Sequence, residues 1–435
     1  MYLLIPTVFI LGYFFIATEH SIHINKAATA LLTGTLCWVL FIMGRESVLP
    51  AMPAAESLHF IVEELREHLG EISEILFFLL GAMTIVEIID AHEGFSVITR
   101  KIRTARRVPL LWILGVITFF LSSVLDNLTT AIVMAALLRK LVSDKKDIWL
   151  FAGMLVIAAN AGGAWSPIGD VTTIMLWIGG QITALNIIKA VFLPSIACLL
   201  VPLLIVSFRL KGSIQRPRES KPEEEDPFRI TPAEKNIVFF SGIGALLFVP
   251  VFKTVTHLPP FMGILFGLSV IWIITEFIHR SKPRKQRKAL SIAGVLQRID
   301  TPSVLFFLGI LIAVAALQSA GHLNGMAQLL DENFKSMYVV NTLVGAASAI
   351  VDNVPLVAGA MGMYPMEVYP VDHPFWELLA YCAGTGGSML IIGSAAGVAI
   401  MGILKIDFFW YLKNVTLLAL FGYIAGILVY VLQHG

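Results

Sequence analysis

Charge is scarce in this chain. Only 14% of its 435 residues are Asp, Glu, Lys or Arg, against about 25% in soluble domains. A water-facing surface cannot be assembled from so few charges over such a length. Soluble enzymes and nucleic-acid binders are therefore excluded. Cysteine is scarcer still: Cys37, Cys198 and Cys382 lie far apart in apolar segments, so neither a disulfide framework nor a cysteine metal motif is visible. A strong net charge is also missing, with 31 Lys and Arg against 30 Asp and Glu. What is abundant is hydrophobicity. Apolar residues make up 57% of the chain, mean hydropathy is +0.82, and several stretches reach the roughly 20 residues a helix needs to cross a bilayer. The composition specifies an all-α, multi-pass membrane protein whose main neighbour is lipid.

The apolar spans run near 2–18, 22–43, 72–90, 109–141, 148–180 and 186–208, and again near 236–252, 259–279, 303–320, 337–363, 376–404 and 408–432. The first lacks the basic start and cleavage site of a signal peptide. Between the two sets lies a polar linker, 209–235, containing the acidic run Glu223 to Asp226; its composition is that of a solvated connector. The halves, 1–208 and 236–435, share residues as well as rhythm. His23 and Trp38 match His257 and Trp272 at an offset of 234; Phe77-Phe78-Leu79 matches Phe306-Phe307-Leu308 at 229. Asp126-Asn127 matches Asp352-Asn353 at 226, and Gly162-Gly163 with Gly169 matches Gly386-Gly387 with Gly393 at 224. An ordered, slowly declining offset is the mark of an internal duplication.

Basic residues set the orientation, because cytoplasmic loops carry the excess of Lys and Arg. Arg100, Lys101, Arg103, Arg106 and Arg107 precede the 109–141 span, and Arg139, Lys140, Lys145 and Lys146 follow it. A single crossing would leave one cluster outside. A re-entrant hairpin removes the conflict, with its break at Asp126, Asn127, Thr129 and Thr130. Irregular backbone at that depth is tolerated only inside protein or beside a water-filled cavity. Treating 337–363 as the equivalent hairpin leaves five crossings per half, so the second half is inverted relative to the first. The expected architecture is ten spanning helices, two opposed hairpins and two interrupted helices (148–180 and 376–404). Both termini are expected outside the cell, in an inner or plasma membrane. The outer loop 44–71 is expected to hold a short interfacial helix.

Inverted repeats with interrupted helices are the plan of secondary transporters, whose sites lie where half-helix ends meet. Pro167 and the surrounding glycines break the first such helix, next to Asn160, Asp170, Thr172 and Thr173; Gly384 to Ser394 break the second. Asp126, Asp170 and Asp352 should lie at membrane depth, and neither the tips nor the breaks contain Lys or Arg. Carboxylates without a basic partner would repel an anion and attract a small hard cation with oxygen ligands. Protons would compete for the same oxygens, which is sufficient for exchange. No His-Glu-x-x-His or Ser/His set points to an enzyme, and no cofactor is expected. Glu87 and His92, at the end of the 72–90 span, are weaker candidates for a proton-sensing role.

At these residues the chain resembles the NhaD sodium/proton antiporters of the ion transporter superfamily. The resemblance rests on the two Asp-Asn tips, Gly162 to Thr173, Phe77 to His92, and Gly384 to Ser388, and it covers nearly the whole chain. It implies exchange of sodium or lithium for protons. It also implies dependence on Asp126, Asn127, Asn160, Asp170, Thr172, Thr173, Asp352, Asn353 and Ser388. An elevator-type motion against a scaffold that forms a homodimer is implied as well. The competing expectation is a sodium-coupled carboxylate symporter of the same superfamily, which would need a basic or neutral, hydroxyl-rich site.

Overall fold

The computed structural model describes every residue except 1, 23, 51, 100, 101, 103, 216–229, 281, 284–286, 289, 335 and 435. The acidic run of the linker therefore lies outside the described residues. Within them the chain is helical, with one isolated β-bridge between Arg106 and Ser213. The first half contains α1 (Leu4–Ala17), α2 (Lys26–Met43), α3 (Ala54–Ala91), α4 (Arg107–Leu125), α5 (Asn127–Leu141), α6 (Lys145–Ala164), α7 (Val171–Ile178) and α8 (Ala184–Arg209). The second contains α9 (Pro232–Thr256), α10 (Pro260–His279), α11 (Thr301–Ser319), α12 (His322–Asn333) and α13 (Met337–Ala347). It ends with α14 (Asn353–Met363), α15 (Pro374–Gly386), α16 (Ala395–Leu404), α17 (Phe408–Asn414) and α18 (Thr416–His434). A few short helical turns connect them.

Among the described residues, nine helices are long and apolar enough to cross a membrane. They do not coincide one for one with the ten expected spans. α4 qualifies although it is one limb of a helix pair, whereas α1 and α15 have 14 and 13 residues. α15 ends early because Gly386 and Gly387 open the apolar run 376–404 into two helices. A second difference concerns the loop 44–71. Instead of a separate interfacial helix, residues from Ala54 onward belong to α3, one helix of 38 residues. The stretch carries no proline after Pro53, and side-chain pairs one turn apart, such as Arg66 with Glu63 at 2.6 Å, support its polar end.

Asp126 alone separates α4 from α5, and residues 348–352 separate α13 from α14. The two helix pairs open toward opposite ends of α8. The ends of α4 and α5 both meet the segment that follows α8: Arg107 N–H donates to Gly212 O at 3.1 Å and Ser143 N–H to Gln215 O at 2.9 Å. The Arg107 guanidinium also pairs with Asp147 at 2.8 Å. The open end of α13–α14 instead reaches the start of α15, where Asn341 donates to Phe375 O at 3.2 Å and the Tyr364 and Phe375 rings lie 4.8 Å apart. The loop between them holds Asp372, which accepts from Thr183 beside the other end of α8.

Matched contacts recur in the two halves. Ser122 donates to Ala159 O at 2.6 Å, and Ser348 to Ala383 O at 2.9 Å. Gly162 lies against the Phe119 carbonyl, and Gly386 against the Gly345 carbonyl, so closely that a Cβ at either position would overlap that oxygen. Helix pairs α4–α6 and α13–α15 are thus held at backbone contact. Between the halves, α5 packs on α16 and α7 on α14, while α2 lies along α11 and α8 along α18.

Two outcomes follow. Single cysteines replacing Lys145 and Lys211 should react with an impermeant thiol reagent from one side of the membrane, and one replacing Val368 from the other; the native cysteines are buried. Labelling of all three from the same side would contradict the opposed openings. Gly162→Ala and Gly386→Ala should each lower stability in detergent by about 1–3 kcal/mol, whereas Gly70→Ala, which faces open space, should be neutral or better.

Candidate functional site

Breaking α6 from α7 and α15 from α16 leaves helix ends facing one another inside the protein, and polar side chains fill the gap. Asp170 caps α7. Its Oδ1 accepts from the Thr172 N–H at 2.9 Å and the Thr172 hydroxyl at 2.8 Å. Thr173 closes a capping box: its hydroxyl accepts from Asp170 N–H at 3.2 Å and donates to Asp170 O at 2.9 Å. Such a box satisfies the first free donors of a helix that starts inside the protein.

The same carboxylate gathers both tips. Asn127 donates from Nδ2 to Asp170 Oδ2, and Asn353 donates from Nδ2 to Oδ1 at 3.2 Å. Asn127 also donates to Asn160 Oδ1 at 3.1 Å. Asn160 then donates to both Ser388 and Ser394, each at 2.9 Å. The network therefore joins one tip, the first break, the other tip and the second break. All of its members are buried, Asp170 being 1% exposed and Asn160 fully enclosed. A buried carboxylate is costly unless several donors reach it; here Thr172, Asn127 and Asn353 supply them. No Lys or Arg takes part in these bonds.

The other two carboxylates stand apart from this network of hydrogen bonds. Asp126 caps α5, accepting from Thr129 N–H and the Thr129 hydroxyl, each at 2.8 Å. Its φ of +77° is a conformation that a non-glycine residue holds only where its surroundings enforce it. Its neighbours are apolar, among them Phe78, Leu79 and Met83. Asp352 caps α14 and lies 3.6 Å from the Lys26 ammonium. The expectation of three carboxylates without a basic partner therefore needs correction at Asp352. Lys26 comes from α2, more than 300 residues away in sequence, so scanning the tips and breaks for Lys and Arg could not reveal it.

Two further residues were not among the expected site residues. Tyr13 accepts from Asp352 N–H at 2.9 Å, and nothing in the α1 sequence signals this. Ser394 was legible in principle, since at the offset of 224 it is the counterpart of Asp170. Each caps its half-helix with nearly the same backbone angles, φ/ψ −146°/149° for Asp170 and −142°/151° for Ser394. Of the weaker candidates, His92 is buried and its Nε2 lies 2.8 Å from Nε2 of His279, while Glu87 faces Arg298 at 3.8 Å. Neither side chain shares a hydrogen bond with the Asp170 network. Among the described residues, no three His, Cys, Asp or Glu side chains converge as a resident transition metal requires.

Comparison with known proteins shows the family of the chain. A family profile described as Citrate transporter matches residues 13–378. The chain is 49% identical over 429 residues to sodium/proton antiporter 1 of Arabidopsis thaliana, an alignment covering 98% of this chain and 71% of that protein. It is 46% identical to sodium/proton antiporter 2 of the same plant, covering 98% of each. With the Na(+)/H(+) antiporter NhaD of Alkalimonas amylolytica it shares 31% identity, over 97% of this chain and 89% of the relative.

If the Asp170 charge is the centre of the site, Asp170→Asn should reduce transport to background while the protein still accumulates in the membrane. An amide of the same shape keeps one oxygen acceptor, so the loss of stability should stay near 1–3 kcal/mol. Ser394→Ala should retain partial activity. Normal transport by Asp170→Asn in vesicles would remove Asp170 from the centre.

Proposed function

Because the chain belongs to the family of NhaD-type sodium/proton antiporters, we propose that it exchanges sodium for protons, with Asp170 and the amides and hydroxyls around it as the shared site. One observation carries this reading: a buried carboxylate is approached by amides from both tips and, among the described residues, has no Lys or Arg as a bonded partner. Sodium is a hard cation that favours carboxylate, amide and hydroxyl oxygens. Asn127 and Asn353 present nitrogen to Asp170 here; rotating either amide by half a turn would present oxygen instead. Asn160, Thr172 and Ser388 add further oxygens, and lithium, a smaller and still harder cation of the same charge, would be an alternative cargo. A proton on Asp170 would occupy the place of the cation, so each ion would leave as the other arrives.

We assign the end of the molecule that carries Arg106, Arg107, Arg139, Lys140, Lys145, Lys146, Arg209 and Lys211 to the cytoplasm of a plasma membrane. In this reading the two halves are inverted repeats. The body formed by α4–α7 and α13–α16, which contains both tips, would slide against the remaining helices as an elevator, in a homodimer. The citrate description of the family profile raises the alternative of a carboxylate cargo. Citrate would need positive charge or a field of free hydroxyls, and the Asp170 network offers neither.

The test is exchange in proteoliposomes containing a pH dye, with sodium, lithium, potassium, citrate or succinate added in turn. Sodium and lithium should drive proton movement and the carboxylates should not; the reverse result would favour the symporter. Competition also sets the pH profile. At fixed sodium, activity should fall on the acidic side as protons occupy the site, and a roughly tenfold increase in sodium should move that limb to lower pH. An acidic limb indifferent to sodium would rule out a shared site.

A further inference from the structure

We propose that Lys26 is a tethered cation that sodium must displace from Asp352, and that it thereby sets the sodium concentration at which the exchanger works. The inference rests on the antiport reading and adds to it a residue outside the Asp170 network.

The observations lie at the tip between α13 and α14. The Lys26 ammonium is 3.6 Å from Asp352 Oδ2 and 4.3 Å above the centre of the Phe306 ring, so two features hold it in place. The tip itself is fastened by the Asp352 N–H bond to Tyr13. Glu19, the other carboxylate beside Lys26, accepts from the Lys26 backbone N–H at 3.2 Å. Around the pair is a cavity of about 390 Å³ lined by Tyr13, Glu19, Lys26, Asp352, Val398 and Phe408. A second cavity of about 530 Å³ also touches Glu19, Lys26 and Val398, and adds Asp300 and Ser303. Glu19, Asp300 and Asp352 thus put acidic side chains on these two cavities, and Lys26 borders both.

Charge and exposure decide what the lysine does there. A fully buried ion pair would be too costly to open in each cycle. This pair is not fully buried: the side chains are 24% and 16% exposed. A part-buried pair stands between the exposed limit, where it is worth little, and the buried limit, where it is costly to break, so sodium in solution can compete with an ammonium already in place. Among the described residues, no cation pairs with the carboxylate of the other tip. Asp126 meets apolar neighbours, and at the repeat offset of 234 the counterpart of Lys26 is Pro260. The charge pair is an asymmetry added to a duplicated frame.

The test uses the full-length protein in two forms. In detergent, the sodium concentration giving half-maximal thermal stabilisation is measured; in proteoliposomes, KM and kcat for sodium-driven proton movement. Lys26→Met and Lys26→Gln should lower both the half-stabilising sodium concentration and KM by about three- to fivefold, with Lys26→Arg staying near wild type. Lys26→Cys alkylated with 2-bromoethylamine, which rebuilds an ammonium, should move back toward the wild-type value, and this comparison within one purified protein holds even if the Met and Gln variants do not accumulate. A KM that is unchanged or raised in the neutral variants, or no change on alkylation, would overturn the role of Lys26. Wild-type protein that exchanges no sodium for protons would instead overturn the antiport reading beneath it.

Discussion

One negative charge organises the middle of this protein. The Asp170 carboxylate is buried, and it is stabilised there by donors from three places: its own helix, the α4–α5 tip and the α13–α14 tip. Removing the α4–α5 tip would leave the desolvated Oδ2 without its donor, at a cost larger than a typical hydrogen bond contributes. The two halves of the chain therefore meet through a shared electrostatic requirement as well as through apolar packing. The surrounding features serve that meeting. Close contacts at Gly162 and Gly386 draw the hairpins against the broken helices, and the capping box of α7 aims the carboxylate at both amides.

The two halves match in their frame and differ in their charges. Asp170 and Ser394 occupy matched caps with matched backbone angles, yet only one carries a charge. Two carboxylates facing each other across the same buried centre would repel strongly in so poor a solvent. A serine in the second position keeps the cap, accepting from Gly397 N–H, and also accepts from Asn160. The tips have diverged in their surroundings instead of their sequence. Asp126 and Asp352 are the same residue in the same motif, but one faces Phe78, Leu79 and Met83 and the other a lysine and a tyrosine.

Much of this was legible in the residues. Membrane helices announce themselves because hydrocarbon demands long apolar runs with internally satisfied backbones, and the two tips and two breaks stand out because polar and glycine-rich segments interrupt those runs. The ordered offsets between Asp126-Asn127 and Asp352-Asn353, and between Gly169 and Gly393, need only comparison along one chain. Family membership followed from the same segments. The exceptions came where local pattern is ambiguous. Nothing between Ala54 and Ala91 tells a helix where the membrane ends, so α3 continues through a stretch that reads as a separate element.

By itself, then, the sequence determined the class of protein, the location of its interruptions and the polar residues that lie there. Which of those residues act together was decided only in three dimensions. Asn127 and its neighbour Asp126 differ by one position, yet the first bonds to Asp170 and the second turns away to cap α5. The direction of a side chain at a tip depends on backbone angles, such as the positive φ of Asp126, and on partners that arrive from elsewhere. Lys26 beside Asp352 is the clearest instance. Hydrophobic length and repeat spacing are properties of neighbouring residues along the chain, whereas a charge pair across hundreds of residues exists only once packing has brought two helices together.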